Sequence, residues 1–268
     1  MKSIFDQISI VTDEASLNVE EAFDICLPLN IKNYELRNFV EGRIPFLKND
    51  TIDTLKYFLK NEKIKYTVLS PGFFKDYINN TKKISFEIDS LQYCFQLMDL
   101  LNIHTLSIFT FKKKNLFESN IPNSIYDIIN QVIIECKKNG KELVIENSPS
   151  CYGNTGFNLK QIINETNVKV IWDPANAAAS NENAYPKGYN YIKKSIKNIH
   201  IKNWSPKNGY VNINNGIIDY NKHLTSLFNN NFTGNYCIEH HQWENKKEST
   251  ISNYNQLSNI INKYYDEK

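Results

Sequence analysis

Arginine is almost missing. Of the 31 basic residues in this 268-residue chain, only Arg37 and Arg43 are arginine. Lysine serves wherever a plain positive charge suffices. The two arginines are therefore candidates for positions that need a planar, bidentate donor, facing a substrate hydroxyl pair, carboxylate or phosphate. For Arg37 the rival expectation is a salt bridge to Glu35 or Glu14. Excess charge is missing too: the net charge is +2, and nothing demands nucleic acid or a membrane surface. The five cysteines, Cys26, Cys94, Cys136, Cys151 and Cys237, include no C-x-x-C pair and are odd in number. That excludes the pattern of a disulfide or zinc framework and predicts reduced, buried thiols in a cytoplasmic protein. No G-x-G-x-x-G follows the first expected strand and no Walker A loop occurs, which argues against a nucleotide-binding fold. No long apolar run is present. The N-terminal Met1-Lys2-Ser3-Ile4-Phe5 meets Asp6 at once, so neither a signal peptide nor a membrane span is expected. No Pro- or Gly-rich linker divides the chain, and residues 1–268 read as one domain.

What is there is an alternation. Apolar β-branched runs are expected as strands at Phe5–Val11, Tyr34–Arg37, Lys65–Ser70, Thr105–Phe109, Leu143–Glu146, Val168–Asp173, Asn198–Lys202 and Tyr236–Glu239. Between them lie amphipathic helical patterns. The first runs from Asn18, a good N-cap, to about Leu29. Others cover Asp50–Glu62, Ile84–Leu100, Ile121–Cys136 (stopped by Asn139-Gly140), Asn158–Asn164, Tyr189–Ile196, Tyr220–Phe228 and Lys247–Tyr265. Eight strand–helix units of about 33 residues each predict an α/β fold, a closed (β/α)8 TIM barrel.

Four of the later strands each end on, or carry late, a metal-capable side chain: Glu146, Asp173, His200 and Glu239. Chemistry on parallel barrels sits at that end. Alternation along each strand puts Val144 inward with Glu146, Ile171 with Asp173, Lys202 with His200 and Cys237 with Glu239, while Trp172 points out toward the helices. Alone, an Asp before Pro174 reads as a turn residue and a His in an apolar strand as a core histidine. Four in consistent phase read as one site. Three converging carboxylates repel one another unless a cation sits among them. An oxygen-rich set with one imidazole suits a divalent ion, Mn²⁺ first, with Mg²⁺, Co²⁺ or Zn²⁺ as alternatives.

Taken in order, Ile10-Val11-Thr12-Asp13-Glu14, Glu35-Leu36-Arg37-Asn38, Glu146-Asn147, Asp173-Pro174-Ala175-Asn176, His200-Ile201-Lys202-Asn203 and Ile238-Glu239 resemble the strand ends of the xylose isomerase-like TIM barrels of the sugar phosphate isomerase/epimerase superfamily. The resemblance runs through nearly the whole chain. It implies that Glu146, Asp173, His200 and Glu239 hold one divalent metal and that Glu146 and Glu239 also move protons. There are departures. Asn176 stands where ketose 3-epimerases of the family carry a substrate-binding His. Asn203-Trp204-Ser205-Pro206-Lys207 stands where they carry an Arg.

The expected chemistry is removal of a proton α to a carbonyl by one glutamate, with return by the other. Return to the same carbon is epimerisation, and return to the neighbouring carbon is isomerisation. Two alternatives stay open: a metal-dependent dehydratase or lyase of a keto-inositol or keto-glycoside, and a non-catalytic sugar-binding barrel. The partner expected is a small carbohydrate, with no nucleic acid and no membrane, and a homo-oligomer is compatible. Candidate substrate-binding residues are Arg37, Asn147, Asn176, Lys202 and Trp204. Trp204 and Trp243 each lie four residues past an expected ligand. The polar segment from Ser205 to Asp219 is expected to act as a lid.

Overall fold

A computed structural model describes residues 3–115 and 120–268; Met1 and Lys2 lie outside the described residues. Eight parallel strands close into a barrel: β1 (Ile8–Val11), β2 (Asn33–Leu36), β3 (Lys65–Leu69), β4 (Thr105–Ile108), β5 (Glu142–Glu146), β6 (Lys169–Trp172), β7 (Ile196–Ile201) and β8 (Tyr236–Ile238). Each pairs with its sequence neighbour, and β8 closes on β1 through Ile8 with Tyr236 and Ile10 with Ile238. This is the expected (β/α)8 architecture. Val68, Val144 and Ile171 form a small apolar cluster of their own inside the barrel, separate from the large core between strands and helices. That separation fixes the phase of β5 and β6: Val144 and Ile171 face in, and Trp172 packs in the outer core. Among the described residues no helix is long and apolar enough to cross a membrane.

Several boundaries differ from the sequence expectation for local reasons. The first strand begins only at Ile8, because Ser3 and Asp6 cap each other's backbone and wind Ile4–Gln7 into a 3-10 turn. The helix expected over Ile84–Leu100 is two, Thr81–Asp89 and Leu91–Leu100, broken at Ser90. The Ser90 hydroxyl donates to the Phe86 carbonyl at 2.6 Å, competing with the backbone ladder. Short helices, Thr12–Ala15 and Pro174–Ala179, start directly after β1 and β6. Pro174 ends the strand, and its fixed φ also suits the first helical position. Asn18 caps Val19–Cys26, its side chain accepting from the Glu21 N–H at 3.0 Å.

The segment expected as a lid is folded. Asn203–Ser205 pairs antiparallel with Gly209–Val211, and Ile213–Asn215 is a 3-10 turn. The Asn203 amide donates to the carbonyls of Ile213 (2.6 Å) and Ile218 (3.0 Å). From the closing helix, Lys246–Asp266, Asn253 accepts from the Ile213 N–H and Gln256 from the Asn214 N–H. The hairpin is a wall of the barrel mouth tied at three points.

His223, on Tyr220–Asn229, is fully buried against the rings of Tyr185 (4.8 Å), Tyr189 (5.0 Å) and Tyr220 (6.1 Å). Neither imidazole nitrogen has a hydrogen-bond partner, and burial pushes its pKa down from 6.5 to about 3. In that interval the unfolded chain binds a proton that the folded chain refuses. Stability is full above 6.5 and falls as pH drops toward 3, by up to about 1.4 kcal/mol per unit. His223→Phe should flatten this part of the stability–pH curve in chemical denaturation. An unchanged slope would show that His223 does not carry it.

Candidate metal centre and active site

β5, β6, β7 and β8 deliver Glu146, Asp173, His200 and Glu239 to the C-terminal mouth of the barrel, as the strand phase predicts. One potential ligand atom from each lies within 4.8 Å of every other, and all four residues are buried. The register pairs His200 with Cys237, which sets Glu239 one step above the imidazole. Nδ1 of His200 is 3.1 Å from Glu239 Oε2 and 3.5 Å from Glu146 Oε1, yet forms no hydrogen bond. On the other edge of the ring, Nε2 is 3.1 Å from Glu35 Oε2. Glu35 is itself fixed by the Ser70 hydroxyl. A carboxylate behind the ring and an opposite nitrogen turned toward further carboxylates is a geometry that histidines at metal sites share.

The electrostatics point the same way. Burial alone would raise the Glu239 carboxyl, but Lys202, His241 and His200 hold it well below the usual carboxylate range. Glu146 is also lowered: burial raises it, and the neighbouring His200 and Lys75 together bring it down. Asp173 is raised by burial, which Lys202 offsets only in part. Lys202 is fully buried, its ammonium bridging Asp173 and Glu239. It offsets one of the three carboxylate charges, and the acidic set that remains is of the kind that a divalent cation can balance. An orphaned imidazole nitrogen among three carboxylate oxygens fits such an ion.

A second acidic group, Glu14, Glu239 and His241, is filled by the guanidinium of Arg37. Its Nε donates to Asp13 at 3.0 and 3.1 Å, its Nη2 to Asp13 at 2.9 Å and Glu14 at 2.6 Å, and its Nη1 to Glu239. The expected salt bridge with Glu14 is present. Glu35 instead lies under His200. Arg37 also lines the mouth, so its fork faces a cavity while its donors hold three strands together.

The other candidates divide. The cavity, about 320 Å³, is lined by Glu146, Glu239, Asn176, Arg37, Tyr210 and Trp243 among others. Asn147, expected to touch substrate, is fully buried and braces Asp173. Its amide accepts from the Asp173 N–H at 2.8 Å and donates to the Asp173 carbonyl at 2.8 Å. Asn176 does reach the cavity, but its Nδ2 donates to the Asn147 carbonyl (2.9 Å) and its Oδ1 accepts from the Tyr210 hydroxyl (2.6 Å). Lys202 lies below the cavity, with Tyr210 covering its ammonium at 5.2 Å. Trp204 packs edge-on against Tyr210 within the hairpin, and Trp243 is the tryptophan that lines the cavity. Sequence reasoning gave no role to Tyr210 and His241. His241 stacks on Trp243 and meets Tyr210 at 89°. An aromatic two residues after an expected ligand, as His241 is after Glu239, was the available signal.

Fold and site together define a (β/α)8 barrel with a carboxylate–histidine centre at its C-terminal mouth. Residues 35–256 match the family described as Xylose isomerase-like TIM barrel, and the chain belongs to that family. No curated protein matches the sequence. Among solved structures, the IOLI protein with a bound zinc atom is similar at TM-score 0.79 and 17% identity, over 96% of this chain and 99% of that one. A D-tagatose 3-epimerase-like protein gives 0.78 and 14%, over 97% and 99%. The probable 3-DHS dehydratase AsbF from Bacillus anthracis gives 0.77 and 13%, over 94% and 98%. At these identities the likeness establishes the fold.

Asn147→Ala would leave the buried Asp173 N–H without its acceptor, at a cost of about 1–3 kcal/mol. We expect a lower melting temperature and weaker Mn²⁺ binding by calorimetry. A raised KM with metal affinity unchanged would instead make Asn147 a substrate ligand.

Proposed function

We propose that this protein is a divalent-metal-dependent isomerase or epimerase of a small sugar or keto-polyol, working by α-proton transfer. One observation carries the reading: Glu146 and Glu239 flank the free Nδ1 of His200 and both open into the same cavity. Glu146, Asp173, His200 and Glu239 would hold one ion, Mn²⁺ being the first choice for this oxygen-rich set. When bound, the ion supplies Lewis-acid stabilisation of negative charge developing on a substrate carbonyl oxygen.

The chain's own groups do the rest. Glu146 is the less encumbered carboxylate and is suited to take the α proton. Glu239 is held by Lys202, Arg37 and His241 on three sides, which fixes its aim from the other side; it acts as base there when ionised, and it returns a proton to the substrate only from the state in which it has first taken one up. The aromatic pair His241–Trp243 and the ring of Tyr210 offer apolar faces to sugar C–H groups and narrow the opening to water. Loss of a β hydroxyl after the same proton abstraction would give dehydration instead.

Asp173→Asn and His200→Ala should each lower Mn²⁺ affinity at least tenfold, with the barrel still folded by circular dichroism; unchanged metal content in both would refute the ligand set. With keto sugars in D₂O, the wild type should exchange the α hydrogen. Glu146→Gln and Glu239→Gln should each abolish that exchange. Full exchange in either variant removes that residue from proton transfer, and a keto product lacking one hydroxyl marks a dehydratase.

A further inference from the structure

Four cations surround the mouth of the barrel, and they are not equivalent. Arg37 and Lys202 are locked into carboxylates. Arg43 and Lys75 line the same cavity, yet among the described residues no carboxylate lies within ion-pair distance of either. Arg43 sits on the antiparallel pair Asn38–Phe39/Gly42–Arg43 that follows β2. Its Nε and Nη2 donate to the Ser70 carbonyl at 3.3 and 3.2 Å, and Nη1 has no protein partner. The guanidinium lies flat on Gly72, where a Cβ would come within 2.5 Å of its central carbon. Gly72 has φ +77, so backbone conformation and lack of a side chain both suit that seat. Lys75, three residues on, holds its ammonium 4.1 Å above the Phe109 ring. Both cations remain exposed at the cavity mouth.

A guanidinium fixed along one edge by a backbone carbonyl, with the rest of its fork unpaired, is organised to receive two oxygens of one anion. We propose that Arg43 and Lys75 form an anion-binding subsite and that the substrate is an acidic polyol, carrying a carboxylate or phosphate at the end away from the reacting carbon. This rests on the proton-transfer reading of the centre. The carboxylates of the centre already draw on Arg37 and Lys202, which leaves the two outer cations to the ligand. The cavity volume is at the lower end of small-molecule sites, which fits a single sugar acid or sugar phosphate.

The test uses probes that cannot react, so its outcome does not depend on turnover. Ribitol, ribonate and ribitol 5-phosphate are titrated by calorimetry into Mn²⁺-loaded protein. We expect ribonate or ribitol 5-phosphate to bind at least tenfold more tightly than ribitol, and the tighter of the two identifies the anion. In Arg43→Gln/Lys75→Gln that advantage should vanish while the ribitol affinity stays the same. If the double variant misfolds, Arg43→Lys, which keeps the charge without the fork, should lose most of the advantage. The proposal is overturned if neither acidic probe binds more tightly than ribitol, or if the advantage survives in the variants. Loss of α-hydrogen exchange in every keto sugar, with the acidic preference intact, would instead overturn the proton-transfer reading alone.

Discussion

His200 holds one ring nitrogen without a hydrogen bond among the carboxylates of the barrel mouth. Glu35 makes that possible by holding the opposite edge of the ring, and the Ser70 hydroxyl holds Glu35 in turn. Everything else around the mouth is arranged to tolerate the resulting charge. Buried carboxylates without partners would take up protons and close the site to a cation. Lys202 and Arg37 oppose that at Glu239, and Lys202 offsets it in part at Asp173. The centre is therefore acidic, with its charge partly offset by its own cations.

The eight-strand alternation and the convergence of Glu146, Asp173, His200 and Glu239 were legible in the sequence because both rest on short-range periodicity. A β-branched run ending on an acid places that acid at the C-terminal mouth of a parallel barrel, and several in one phase bring their side chains together. The inward phase of Val144 and Ile171 followed from simple alternation and is seen in the inner apolar cluster. What could not be read was pairing across the barrel. Glu35 belongs to β2 and His200 to β7, 165 residues apart, and nothing local to Glu35 distinguishes a brace from a salt-bridge partner. The same holds for Asn147, whose amide fits the backbone of Asp173 on the next strand. The Ser205–Asp219 segment is polar and glycine-containing, as mobile loops are. Its order comes from Asn203 and from Asn253 and Gln256 on a helix far along the chain.

Asparagine does much of this bracing. Asn147, Asn176 and Asn203 each satisfy two or more backbone or side-chain groups at the C-terminal mouth. An amide both donates and accepts, so it can close gaps in buried backbone without adding charge to a site already dense with it. Asp173 shows the benefit. Its N–H and C=O are taken by Asn147, and one carboxylate oxygen accepts from the Asn176 N–H at 2.9 Å, which leaves the side chain a single fixed orientation.

Arg37 joins Asp13 and Glu14, at the end of β1, to Glu239, at the end of β8, from its own place at the end of β2. The first and last strands of the chain meet there, so the ion cluster lies across the seam of the barrel. A half-barrel of β5 to β8 could present Glu146, Asp173, His200 and Glu239 with Lys202 and His241 beside it, but it would lack the contact to Glu239 from Arg37, which comes from the opposite end of the sequence. The full set of contacts around Glu239 thus exists only in the closed ring.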